Sequence, residues 1–298
     1  MALLNSIIGN ETNYSEASFE KVVFCYLDIL GFKDKLNKFG TNFIKMIANS
    51  FKKSINELNL ICQKNNQNIG NDYGSISFKI LSDSVLIWNS DISEIGIWNL
   101  INVIQLIRSN FHNDGFLIRG AIDIGEHFYD QDILVSPVLI KTYSVESKLA
   151  IFPRIIISSE TKDFAMKIKF SDCGKSGVLS SDEKKFRFVR PLEIEQDKTD
   201  GFFIINQFLS TPETYFLRFN SNNLDDIQPD SINRQRIIDE GYNWYDEYRK
   251  SIINEFNKCS DQTIRRKIYY LSQKMNEAVL FCEGRLTNQQ IQKLILNL

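Results

Sequence analysis

Histidine is almost absent, with two residues in 298, His112 and His127. A Ser-His-Asp triad or a His-rich metal centre would have to use one of them, and neither has the expected neighbours. The five cysteines, Cys25, Cys62, Cys173, Cys259 and Cys282, are odd in number, widely spaced and form no CxxC pair. They read as buried thiols of a reducing cytoplasm and not as a disulfide frame or a zinc site. Neither sign of charge dominates: 35 Lys and Arg stand against 37 Asp and Glu. That balance argues against bulk binding to nucleic acid or to an anionic membrane. No apolar run reaches the length of about 18 residues that a membrane span needs, and Lys52, Lys53 and similar charges interrupt every candidate. Residues 1–14 carry no basic residue ahead of their short apolar patch, so no secretory signal is expected. A cytoplasmic location follows as the expectation, and any catalysis is expected to run on carboxylates and metal.

A hydrophobic content of 43% with 24% charge excludes disorder and coiled coil. Internal repeats and Pro- or Gly-rich linkers are also missing. Residues 21–29, KVVFCYLDI, form a β-branched and aromatic run that reads as a buried strand. Phe43, Ile47, Phe51, Ile55, Leu58 and Cys62 recur at helical spacing, which predicts a helix over 41–62. A polar loop is expected over 63–74. Strands over 75–81 and 85–88 would form a hairpin about Ser82-Asp83-Ser84. Asp91 is expected to cap the next helix. Residues 116–124 and 127–129 read as a strand pair about Gly125, followed by a helix over 136–150 and a strand over 154–157.

Between 160 and 230 the pattern is irregular, with a helix expected over 161–168, a strand over 186–189 and a loop over 224–231. Two apolar faces near the C-terminus, one from Ile238 to Phe256 and one from Ile264 to Val279, predict a helical hairpin. The expected class is α+β, a ferredoxin-like βαββαβ core with a C-terminal helical extension. The expected divisions are a core over 15–160, a mixed extension over 161–230 and helices over 231–298.

Two carboxylates stand out by context. Asp28 ends an apolar strand, and Asp83 lies at a hairpin tip. A carboxylate in an apolar run needs a hydrogen bond, a cation or a metal. On neighbouring strands the two would face one site, and paired carboxylates are what Mg²⁺ takes together with water and phosphate oxygens. The turn Ile29-Leu30-Gly31-Phe32 then opens a helix whose free N–H groups could hold phosphates. The basic run Arg265-Arg266-Lys267 reads as a solvated helix face.

The segment 22–158 resembles class III nucleotide cyclases. Asp28-Ile-Leu-Gly-Phe looks like that family's first metal motif and Lys79-Ile-Leu-Ser-Asp83 like its second, with Ser82 where the family usually has Gly. Arg119, Ile122 and Gly125 match a later strand motif, and Tyr143-Ser-Val-Glu146-Ser147 resembles the end of a family helix. Together with Ser136-Pro137, the set looks most like the pyrimidine cyclases of the Pycsar anti-phage systems.

The resemblance implies that Asp28, Asp83 and the Ile29 carbonyl hold two Mg²⁺ or Mn²⁺ ions, with Arg119 a further catalytic candidate. Ile29, Leu30, Gly31 and Phe32 would meet the phosphates, Lys79 would read the base, and Phe78 would wall the same pocket. The product would be a 3′,5′-cyclic nucleotide made from CTP or UTP by a homodimer, acting on a separate effector, with no nucleic acid or membrane as partner. Aligned on Glu146-Ser147, Ile140 and Ser144 stand where the family places a transition-state Asn and Arg. A catalytically silent cyclase-like binding module is the alternative. A phosphoryl-transfer enzyme with linear products on the same frame is a weaker one.

Overall fold

The computed structural model describes residues 18–66, 76–130, 133–167, 194–209, 231–282 and 286–298. In chain order, strand β1 spans Glu20–Ile29, helix α1 Phe32–Phe39, α2 Thr41–Asn66, β2 Ile76–Leu81 and β3 Ser84–Asn89. Then come α3 (Glu94–Asn113), β4 (Ile118–Asp130), β5 (Ile133–Val135), α4 (Pro137–Leu149), β6 (Ile155–Ile157) and α5 (Ser159–Ala165). Strands β7 (Ile194–Gln196) and β8 (Phe203–Ile205) precede α6 (Ser231–Lys258), α7 (Gln262–Leu280) and α8 (Asn288–Leu294). The protein is mixed α+β.

One sheet runs β2-β3-β1-β4-β6-β8-β7, with β5 paired to β4 outside that path. From β2 to β4 every neighbour is antiparallel, and β6 joins β4 in parallel. Strand β1 lies at the centre of the first four, and its residues 22–27 are buried on both faces because helices cover both. Side chains alternate along a strand. Val23, Cys25, Leu27 and Ile29 therefore pack under α2 and α3 with Phe43, Trp98 and Phe111. Val22, Phe24 and Tyr26 face the other way, with Leu86, Trp88 and Val138 of α4. The face bearing Tyr26 also bears Asp28.

Four local expectations are corrected. Strand β4 is continuous through Gly125, with no turn there; a Cβ at this position would lie 2.9 Å from the Val138 Cβ, so the missing side chain admits α4. Ser93, not Asp91, caps α3: its side chain accepts from the Gly96 N–H, while Asp91 accepts one step earlier from the Ser93 N–H. Residues 63–66 continue α2 and are not loop. The helix expected over 161–168 runs Ser159–Ala165. The strand expected over 186–189 and nearly all of the loop over 224–231 lie outside the described residues, as does Cys173.

The C-terminal hairpin forms as its periodicity predicts. Tyr245, Tyr248, Ile252, Ile268, Leu271, Met275 and Val279 close a second core, which also takes in Phe208 from the segment after β8. Among the described residues, Cys25 and Cys282 are buried free thiols and Cys259 is half-buried. No helix of the described residues is long and apolar enough to cross a membrane.

Candidate active site

Asp28 and Asp83 meet at one end of the sheet. In register, Asp28 lies between Ser84 of β3 and Arg119 of β4. The Ile29 N–H donates to the Asp83 carbonyl at 3.0 Å, which fastens the β2–β3 tip against the end of β1. That tip is a two-residue loop, since Leu81 pairs with Ser84. Its first residue, Ser82, has φ 57°, the one positive φ outside glycine among the described residues. The conformation suits glycine, the residue the resembled motif has there. Burial pushes the Asp28 carboxyl above its usual range. The Arg119 hydrogen bond and charge oppose that rise, and the Asp83 charge adds to it.

Arg119 bridges two carboxylates. Its Nε donates to Asp28 Oδ2 at 3.0 Å and lies 2.6 Å from Glu146 Oε1. The Nε hydrogen bond goes to Asp28, and Glu146 Oε1 is buried without a hydrogen bond. Glu146 reaches this point from α4, whose buried residues Val138, Thr142 and Glu146 recur every fourth position. Burial raises its pKa to about 7. Arg119 opposes the rise, while Asp28 and Asp83 add to it. A glutamate in the apolar register of a helix was the sequence signal for this third carboxylate. Arg119 itself holds acids in place, the posture of a positioning residue.

A further cation was missed. Lys267 of α7 is half-buried, and burial draws its ammonium below the usual range, with the Arg119 charge adding to the effect. Asp28, Asp261 and Glu146 pull the other way, so Lys267 belongs to the same electrostatic neighbourhood. The solvated face expected for Arg265-Arg266-Lys267 is therefore corrected: only Arg266 of the three is exposed.

Other candidates fall into place less uniformly. Lys79 lies on the Asp28 face of the sheet, its Nζ 5.1 Å from the Tyr129 ring centre, and Tyr129 packs on Trp88. Phe78, one residue earlier, points to the opposite face and is 45% exposed, so it does not wall the pocket of Lys79. The N–H groups of Ile29 and Leu30 are engaged by the Asp83 and Leu117 carbonyls and are not open to a phosphate. Gly31 precedes α1 at φ 73°, and no side chain caps that helix. Phe32 packs edge-on against Phe43 at 5.2 Å, as part of the core wall. Ile140 is 72% exposed, and Lys141 pairs with Asp123 at 2.6 Å.

Among the described residues, no three acidic, His or Cys side chains form a metal cluster. The donor chemistry nonetheless fits a hard divalent cation: two carboxylates and a backbone carbonyl, all oxygen, in a site where burial and neighbouring charge raise Asp28 and Glu146. Comparison with known proteins gives no match, either to a family model or to a curated protein.

Proposed function

We propose that the protein is a metal-dependent nucleotide cyclase that converts a nucleoside triphosphate, CTP or UTP by resemblance, to its 3′,5′-cyclic nucleotide and pyrophosphate. The observation that carries this reading is the pairing of Asp28 with the Asp83 hairpin tip, fixed by the 3.0 Å bond from the Ile29 N–H to the Asp83 carbonyl. The order β2-β3-β1-β4, antiparallel throughout, with α1 and α2 between β1 and β2 and α3 between β3 and β4, supports a ferredoxin-like βαββαβ core.

In this reading Asp28, Asp83 and the Ile29 carbonyl would hold Mg²⁺ or Mn²⁺. The bound ions would supply acidity at the ribose 3′-hydroxyl and charge neutralisation along the triphosphate. The 3′-hydroxyl would lose its proton to water while its oxygen forms a bond to the α-phosphorus and the bond to pyrophosphate breaks. Asp28 must give up Arg119 for this, and Arg119 then retains Glu146 beside it. Lys79 and the Tyr129 ring would meet the base.

Family sites lie between two subunits, so the active form would be a homodimer. Exposed apolar side chains on β5 and α4 would suit such a contact: Val135 is 49%, Ile140 72% and Tyr143 52% exposed. The cyclic product would act on a separate effector in anti-phage defence, within the cytoplasm.

Two observations favour a catalytically silent nucleotide- or protein-binding module. Exposed Ile140 stands where the family has a transition-state Asn, and Arg119 occupies Asp28. The deciding experiment incubates the protein with each of ATP, GTP, CTP and UTP and Mn²⁺, and resolves products by mass. Asp28→Ala and Asp83→Ala serve as controls. One cyclic mononucleotide that both variants fail to make establishes the cyclase and its base. No turnover by folded, dimeric protein overturns it and leaves the binding module.

A further inference from the structure

A cavity of about 650 Å³ shares no lining residue with the paired carboxylates and lies along α7, beside the end of α6, the β7–β8 turn and the segment after α4. That volume falls within the range of about 300–1,000 Å³ usual for small-molecule sites. Its wall is aromatic. Phe152 and Tyr270 stack with centroids 4.5 Å apart and planes 12° from parallel. Tyr269 lines the cavity and is 47% exposed.

The charges on the wall are asymmetric. Both acids there are already neutralised. Asp197 accepts from Arg154 and Tyr270, and Glu277 pairs with Lys198 and Lys274. Arg265 and Arg266 have no carboxylate partner among the described residues. Arg265 is held in place, its guanidinium 4.2 Å over the Phe256 ring, and its Nε is buried with no hydrogen-bond acceptor among the described residues. Two guanidinium groups on one wall without a carboxylate partner favour an anion, and a phosphate accepts from their forked N–H donors with the best geometry.

We propose that this cavity is a binding site for a mononucleotide, with the phosphate on Arg265 and Arg266 and the base against Tyr269 and the Phe152–Tyr270 stack. Inorganic phosphate alone would leave the aromatic wall uncovered and most of the volume empty. An uncharged nucleoside would leave both guanidinium groups without an anion. A ligand with both parts satisfies the whole lining. The inference stands on this lining alone and does not use the cyclase reading.

Calorimetric titration of the full chain, in EDTA so that no metal assists binding at Asp28 and Asp83, tests it. The probes are nucleoside 5′-monophosphates, 3′,5′-cyclic nucleotides, uncharged nucleosides and inorganic phosphate. At least one nucleotide should bind saturably at one per chain, with nucleoside and phosphate each about tenfold weaker or more. Arg266→Gln and Tyr269→Ala, both at exposed positions and checked for folding by circular dichroism, should each weaken that nucleotide about tenfold. Asp83→Asn should leave it unchanged. Absence of saturable binding by the folded protein overturns the proposal. So does binding that survives both Arg266→Gln and Tyr269→Ala, and a change in that binding in Asp83→Asn would place the nucleotide near the carboxylates.

Discussion

Arg154 Nη1 lies 2.6 Å from Asp197 Oδ2, and both side chains are withdrawn from solvent. The pair ties the start of β6 to the β7–β8 turn. Tyr270 of α7 donates to the same Oδ2 at 2.5 Å, so three parts of the chain converge on one carboxylate. Arg154 also pairs with Asp200, so losing Asp197 leaves the guanidinium one carboxylate and the Tyr270 hydroxyl none. Asp197→Ala is expected to destabilise the protein by about 2–3 kcal/mol, measured by urea unfolding at neutral pH. Burial pushes the Asp197 carboxyl up, but hydrogen bonds from Tyr270, the Thr199 N–H and Arg154 outweigh it and bring the pKa down to about 2 from 3.8. This contribution is therefore complete above pH 3.8 and is lost as acid titrates the native carboxylate. A loss under 1 kcal/mol, about the worth of an exposed ion pair, would show that the convergence does not hold the fold together.

The β2–β3 tip makes a prediction of opposite sign. Ser82 is exposed and held at φ 57°, where an L side chain is strained and glycine is not. Ser82→Gly relieves that strain but adds chain entropy to the unfolded state. The net expectation is a gain of about 0.5–1 kcal/mol, read as a higher urea midpoint at unchanged slope. A loss of stability would mean that the serine side chain itself supports the turn.

Arg119 supplies the positive charge beside Asp28 and Glu146. Arg119→Met keeps much of the aliphatic packing and leaves those acids, with Asp83 nearby, facing one another. At pH 8 the variant should lose about 2–4 kcal/mol. If the acids bind a hard cation, millimolar Mg²⁺ should restore part of that loss and stabilise the variant more than the wild type, because Arg119 no longer competes for Asp28. Thermal melts with and without Mg²⁺ check this independently of catalysis. A deficit that Mg²⁺ leaves untouched counts against a cation site at these carboxylates.

What the sequence disclosed and what it hid have physical reasons. Strand β1 was legible because a central strand buried on both faces must be apolar throughout, and Asp28 was conspicuous for breaking that run. The C-terminal hairpin was legible from its helical period. Gly125 misled because a glycine required for the approach of Val138 looks, in sequence, like one that makes a turn. The basic run of α7 misled because charge alone does not say which face of a helix turns inward; Lys267 is half-buried within the field of Asp28, and Arg265 stacks on Phe256. Placing Phe78 with Lys79 ignored the alternation of side chains across a strand. Glu146 was legible in the motif, but its union with Arg119 and Asp28 depends on how α4 crosses β4.

Glu146 carries the clearest pH signature of the site. Burial is the main reason its pKa stands at about 7 against an ordinary 4.5, with Arg119 opposing and Asp28 and Asp83 adding. Between those two values the native state holds a proton that the unfolded chain has released, so this group lowers stability as pH rises from 4.5 toward 7. Buried His127 and His112 work in the opposite direction. Their pKa values are lowered by burial to about 4 and about 3, so the folded chain binds fewer protons than the unfolded one up to about pH 6.5. The wild-type profile sums these effects, and the comparison with Glu146→Gln isolates one of them. Glutamine mimics the protonated acid at every pH, so the two proteins should be nearly equal in stability at pH 4.5. The variant should be more stable by about 1–2 kcal/mol at pH 8, a figure reduced for partial solvent screening. Guanidinium unfolding at the two pH values measures the difference. Mg²⁺ should shrink the gap at pH 8, because a cation on Asp28 and Asp83 removes the repulsion that makes ionised Glu146 unfavourable. An advantage of equal size at both pH values would assign the effect to packing and not to charge.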